Sequence, residues 1–186
     1  MIRKFSWIFL IAGTLIMICV MSFSGKPLKN AATPYGIINL ELANSAIKVQ
    51  NILNAWDNDI SKNTDVIAAA KKNTWLDFIF IIFYTSLFYF LCKKLVSFFL
   101  KNSGWKHAGN IVSTGAIIAG LLDVGENTGM LKSLNGNVSD NIALFTACCA
   151  AIKWMLVFIT IIFLIAGFTY RIFILKTKPG YRDEQN

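Results

Sequence analysis

Four long apolar runs alternate with polar segments along this chain, over about residues 5–23, 75–95, 105–131 and 142–170. Each run is close to the roughly 20 residues that carry an α-helix across a bilayer. The segment 24–73 is the one sizeable polar stretch. Lys101-Asn102-Ser103-Gly104 reads as a short loop, and 133–141, with Asn135-Gly136-Asn137, as a turn. The pattern predicts an all-α protein: an integral membrane four-helix bundle forming a single domain over residues 1–186.

Within 24–73 a second periodicity stands out. Ile38, Leu42, Ser45, Val49, Ile52 and Trp56 recur at helical spacing, after Thr33-Pro34 as N-cap and first helical position. This predicts one amphipathic helix over 37–56, either lying on the membrane surface or packed over the bundle mouth. Trp56 at its end suits an interfacial membrane anchor. Asp57-Asn58-Asp59 is a turn, and a short helix from Thr64 to Lys72 runs into span two. Span one has two readings. Ser22 and Ser24 would suit a signal peptide cut at Gly25, whereas the length of the run favours a retained helix.

Composition agrees with the runs. Hydrophobic residues make up 55% and charged residues 15%, against about 45–50% and 25% in soluble domains. The net charge of +8 raises nucleic acid as a partner, but the basic residues sit at the ends of apolar runs and form no stripe interleaved with aromatics. They read as topology signals. Arg3, Lys4, Lys93, Lys94, Lys101, Lys106, Arg171, Lys176, Lys178 and Arg182 all fall on one side of a four-span chain. The 133–141 turn has no Lys or Arg. The positive-inside rule therefore predicts a multi-pass protein of the inner (cytoplasmic) membrane, with both termini and the 171–186 tail cytoplasmic and 24–73 extracytoplasmic.

Ionisable side chains inside a span cost about 2.5–3.5 kcal/mol on insertion scales, and are kept where they are paired or functional. This chain places Asp77, Asp123, Glu126 and Lys153 within spans, with Tyr84 and Asn127 beside them. At a rise of about 1.5 Å per residue, Asp77 and Tyr84 lie about 5 and 15 Å below the outer end of their span. Glu126 and Asp123 lie about 8 and 12 Å, and Lys153 about 17 Å, below theirs. Asp77 and Tyr84 share a helix face, and Asp123, Glu126 and Asn127 form another through i, i+3, i+4 spacing. Thr146, Cys149 and Lys153 form a third. Ala116 and Gly120 continue the Asp123 face as a small-xxx-small pattern that admits a neighbouring helix.

Two readings of this cluster stand side by side. In the structural one, Lys153 pairs with Asp123, Tyr84 and Asn127 satisfy the remainder, and the polar groups fix packing. In the functional one, three carboxylates against one lysine exceed what pairing needs. One carboxylate then carries a proton or binds a cation. Asp123, Glu126 and Asp77 would serve a hard cation such as Mg²⁺ or Ca²⁺. No haem, zinc or nucleotide cofactor is expected: the single His107 lies at a span end, no CxxC occurs and no Gly-rich phosphate loop is present. Cys19, Cys92, Cys148 and Cys149 read as buried thiols.

Thr33-Pro34-x-Gly36-Ile37, Leu40-Glu41-Leu42-Ala43, Trp56, Leu76-Asp77-Phe78, Tyr84, Leu121-Leu122-Asp123-x-x-Glu126-Asn127 and Ala150-x-x-Lys153 follow one another in the chain. This order resembles a functionally uncharacterised family of small bacterial four-span membrane proteins, over about 33–165. No activity comes with the resemblance. It implies that Glu41 belongs beside the other polar positions; a solvated surface acid is the competing reading. The expected function is an outward-facing acidic pocket for a lipid, a small amphipathic ligand or a cation. The alternatives are an integral membrane enzyme that uses a carboxylate acid/base on lipid head groups, and a structural subunit whose Phe-rich span two packs on a partner membrane protein.

Overall fold

The computed structural model of the chain describes residues 2–59, 65–99 and 104–177. They form six α-helices and no strand: α1 (Ile2–Ser24), α2 (Ile37–Glu41), α3 (Ala46–Asp57), α4 (Val66–Val96), α5 (Gly104–Leu134) and α6 (Asp140–Thr177). Helices α1, α4, α5 and α6 each contain a stretch long and apolar enough to cross a membrane. The chain is thus an all-α, multi-pass membrane bundle. Thr64, the expected loop at 101–103 and the tail from residue 178 lie outside the described residues.

Local chemistry sets the ends of the helices. The Asp65 carboxylate accepts from Ala68 N at 2.8 Å and starts α4. The Ser139 hydroxyl accepts from Ile142 N at 3.3 Å and starts α6. Helix α5 stops at a Schellman turn, in which Asn137 N donates to Lys132 O and Gly136 N to Ser133 O, both at 3.0 Å. Gly136 takes φ 91° there, a conformation open to glycine at little cost. At 31 residues in α4 and α5 and 38 in α6, the helices outrun a hydrocarbon core about 30 Å thick.

Segment 25–59 packs over one end of the bundle. Leu28, Leu40, Val49 and Trp56 bury against Val66, Ala70, Met130, Leu134 and Ala143 from α4, α5 and α6. The single 37–56 helix expected from the sequence is two helices. Its break leaves Ile38 and Leu42 exposed and buries Leu40, Glu41 and Ala43 instead. The cause is a fresh N-cap: Ser45 Oγ accepts from Lys48 N at 3.4 Å, and Asp140, at the start of α6, accepts from Ala46 N at 2.7 Å. Thr33 caps no helix. Its hydroxyl donates to Leu28 O at 2.8 Å, and Trp56 Nε1 donates to Leu28 O and Thr33 Oγ1, both at 3.0 Å. Trp56 is only 1% exposed. It is a core residue of the cap, not the interfacial anchor expected, because two oxygens inside the cap satisfy its indole N–H.

A second apolar core closes the other end. Cys92, Leu95, Phe99, Phe163 and Leu164 pack there, and the Trp105 ring stacks on Phe99 and Tyr170 at centroid distances of 5.6 and 5.2 Å. Helix α5 lies between α4 and α6 and makes its broadest contacts with both. Gly120 allows the approach of α4, since a Cβ at that position would run into Thr85. Helix α1 leans mainly on α4 and leaves Ile8, Phe9, Leu15 and Ile16 facing outward. Cys19 and Cys148 are likewise exposed on helix surfaces, and only Cys92 and Cys149 are buried as expected.

Candidate functional site

The polar residues gather between the two apolar cores, where α2, α4, α5 and α6 meet. The Nζ of Lys153 from α6 lies 2.7 Å from Glu126 Oε2, 3.0 Å from Asp123 Oδ1 and 3.9 Å from Glu41 Oε2. The other Asp123 oxygen, Oδ2, accepts from the Tyr84 hydroxyl at 2.7 Å. One turn further along α5, Asn127 Nδ2 donates to Asp77 Oδ2 at 2.7 Å. Every site residue singled out in the sequence falls in this cluster except Trp56. Glu41 comes with them, since the five-residue helix α2 turns its last residue down onto Lys153.

Burial is nearly complete. Glu126 and Asn127 are 0% exposed, Asp123 4%, Lys153 6% and Glu41 8%, while Asp77 is half-buried. Hydrogen bonding is not. Asp123 is satisfied by Lys153 and Tyr84. Glu126 Oε2 lies 2.7 Å from the ammonium, a charge-assisted contact. Glu126 Oε1, Glu41 Oε2 and Asn127 Oδ1 are buried without a hydrogen-bond partner among the described residues. All three atoms are acceptors, and a buried acceptor left unmatched costs about 1–3 kcal/mol, more when it is charged. The cluster can therefore take in N–H or O–H donors and positive charge.

The hard-cation set Asp123, Glu126 and Asp77 does not assemble. Asp77 turns to Asn127, while Asp123 and Glu126 turn to Lys153, whose ammonium stands where a cation would. Among the described residues, no three His, Cys, Asp or Glu side chains converge to hold a metal ion.

Asn73 is a buried polar residue near the cluster that the sequence pattern did not single out, only 1% exposed. Its Nδ2 donates to Ser24 Oγ at 2.6 Å and Met21 O at 3.3 Å, which ties the end of α1 to α4. Its Oδ1 has no partner among the described residues. The signal was present, because Asn73 lies one helical turn before Asp77 on the same face.

No protein-family model matches this chain, and neither the curated proteins nor the solved structures contain a match.

Proposed function

We propose that this protein binds the positively charged, hydrogen-bond-donating end of a lipid or small amphipathic molecule in the Glu41–Asp123–Glu126–Lys153 cluster. The observation that carries this reading is the set of buried acceptors without partners, centred on Glu126. Three carboxylates face one lysine, with Asp77 a turn away on Asn127, so an amine entering here meets attraction and free acceptors together. Asp123 is already committed to Tyr84 and Lys153, and this leaves Glu126, Glu41 and Asp77 to receive the ligand.

Helix α2 serves as the lid in this scheme. It carries Glu41, is only five residues long, and starts at Gly36 with φ 62°. Lifting it would remove Glu41 from Lys153 and expose Glu126 without disturbing the long helices. We place the chain in the inner membrane of a bacterium, among the small four-span proteins that it resembles, with both termini cytoplasmic and the α2–α3 cap outside. Ligand then enters from the outer leaflet past half-buried Asp77.

The test is ligand retention by Glu126→Gln and Glu41→Gln variants after extraction in mild detergent. Loss of a co-purifying amine-bearing molecule supports the assignment, and unchanged retention sinks it.

A second reading, an enzyme acting on lipid head groups, draws on the same geometry. Tyr84, Asp123, Lys153 and Glu126 form a continuous file of groups able to pass protons. It requires that the lipid products of membranes holding the native chain differ from those holding Glu126→Gln; identical profiles contradict it.

A further inference from the structure

A second candidate site lies at the opposite end of the bundle, away from the acidic cluster. The seam between α1 and the C-terminal end of α4 opens into a groove of 610 Å³, floored by Leu10, Phe90 and Phe98 and rimmed by Lys93 and Lys94. The Lys94 ammonium sits 4.8 Å above the Trp7 ring. Lys93 donates to Asn110 at 2.9 Å, and each ammonium carries three donors. The Arg171 guanidinium of α6 lies 3.3 Å over the Phe98 ring at the same level.

Among the described residues the charge here is one-signed. No Asp or Glu precedes Glu41, none lies between Asp77 and Asp123, and none lies between Asp140 and Asp183. Helices α1, α4, α5 and α6 thus bring no carboxylate to this level. Stacking on aromatic rings holds the cations in place without neutralising them. A groove that is apolar along its floor and basic at its rim, open sideways at the end of a membrane span, matches the two halves of one molecule.

We propose that this groove binds an anionic phospholipid of the adjacent leaflet, its phosphate at Lys93 and Lys94 and one acyl chain along Leu10 and Phe90. A zwitterionic lipid would bring a further positive charge against Lys93, Lys94 and Arg171, and so fits less well. The site stands apart from the acidic cluster and does not depend on what binds there.

Delipidated full-length protein in detergent would be titrated with phosphatidylglycerol or phosphatidylcholine of the same acyl chains, with bound lipid read by native mass spectrometry. Two lysines at a lipid surface are each worth a factor of about five, so phosphatidylglycerol should be retained about twenty-five-fold more strongly. Lys93→Gln/Lys94→Gln should erase the preference, while Lys71→Gln/Lys72→Gln, at the other end of α4, should keep it. Leu10→Trp, which fills the groove and leaves the charges, should weaken retention of both lipids. Soluble glycerol phosphate should not compete. Equal retention of the two lipids, a preference untouched by Lys93→Gln/Lys94→Gln, the same loss in Lys71→Gln/Lys72→Gln, full retention in Leu10→Trp, or competition by glycerol phosphate would each overturn the proposal.

Discussion

Lys153 approaches Glu126 more closely than any other carboxylate, at 2.7 Å, and bonds Asp123 at 3.0 Å. One lysine thus neutralises charge for several acids, yet Glu126 Oε1 is left without a partner among the described residues, whereas both Asp123 oxygens are bonded. This division between a satisfied Asp123 and a half-satisfied Glu126 separates a packing role from a binding role. Removing Lys153 should be costly, because it strands buried carboxylates: Lys153→Met is expected to destabilise the bundle by about 3–5 kcal/mol. Glu126→Gln leaves the Lys153–Asp123 bond intact and should cost clearly less than Lys153→Met, because the ammonium keeps a charged partner. Denaturant unfolding in detergent reads both, and equal losses would show that Glu126 is only a structural partner.

Tyr84 should matter through Asp123. Tyr84→Phe removes the 2.7 Å hydrogen bond to Asp123 Oδ2 and leaves the ring in place. A hydrogen bond to a charged group contributes about 1.5–3 kcal/mol, so a loss of that size is expected in the same assay. A change near zero would mean that Asp123 Oδ2 finds an equivalent donor elsewhere.

Trp56 gives a sharp contrast between two roles. As a buried cap residue with its N–H bonded to Leu28 and Thr33, its replacement by Phe should cost about 2–4 kcal/mol, from lost hydrogen bonding and a residual cavity. A lipid-facing anchor would tolerate the change. Thermal unfolding followed by circular dichroism distinguishes them.

Two glycines of α5 should respond oppositely to Ala. Gly120 faces Thr85 so closely that a Cβ cannot fit without movement of α4, and Gly120→Ala should cost about 1–3 kcal/mol. At Gly115 a Cβ meets only Leu156 Cδ2, at an ordinary 3.6 Å. Gly115→Ala should be neutral or stabilising by up to about 1 kcal/mol through helix propensity. No loss at Gly120 would contradict the α4–α5 contact described, and a loss at Gly115 would contradict the looser packing of α5 on α6 there.

Topology is open to chemical labelling. In a background with Cys19, Cys92, Cys148 and Cys149 replaced, Asn137→Cys in the α5–α6 turn should react with a membrane-impermeant maleimide added to intact cells. Ser97→Cys, at the end of α4, should react only after permeabilisation. The reverse pattern would invert the orientation and put the acidic cluster in the inner half.

The apolar runs made the four long helices legible, because lipid demands about 20 apolar residues in a row and little else in a chain looks like that. The cluster was legible for a related reason: Asp77, Asp123, Glu126 and Lys153 are costly where they stand, and helical spacing put them on inward faces. The cap was not. Leu42 and Ser45 fit the helical period, but the break between them depends on Asp140, 94 positions from Ala46. The role of Trp56 depends on the carbonyl of Leu28, 28 positions away. Periodicity carries no information on contacts at such range. Asn73 was passed over because it closes a segment read as surface, although it shares a helix face with Asp77.

Ligand occupancy of the cluster is the most direct measurement. Native mass spectrometry of the full-length protein, extracted in mild detergent from its own membranes, would compare the native chain with Glu126→Gln. The expected result is an added mass on the native chain, from an amine-bearing lipid or small amphipathic molecule, that is lost in Glu126→Gln while both proteins stay folded. A native chain without an amine-bearing adduct, or that amine-bearing adduct on both proteins, would contradict a binding role and leave the cluster as a packing device.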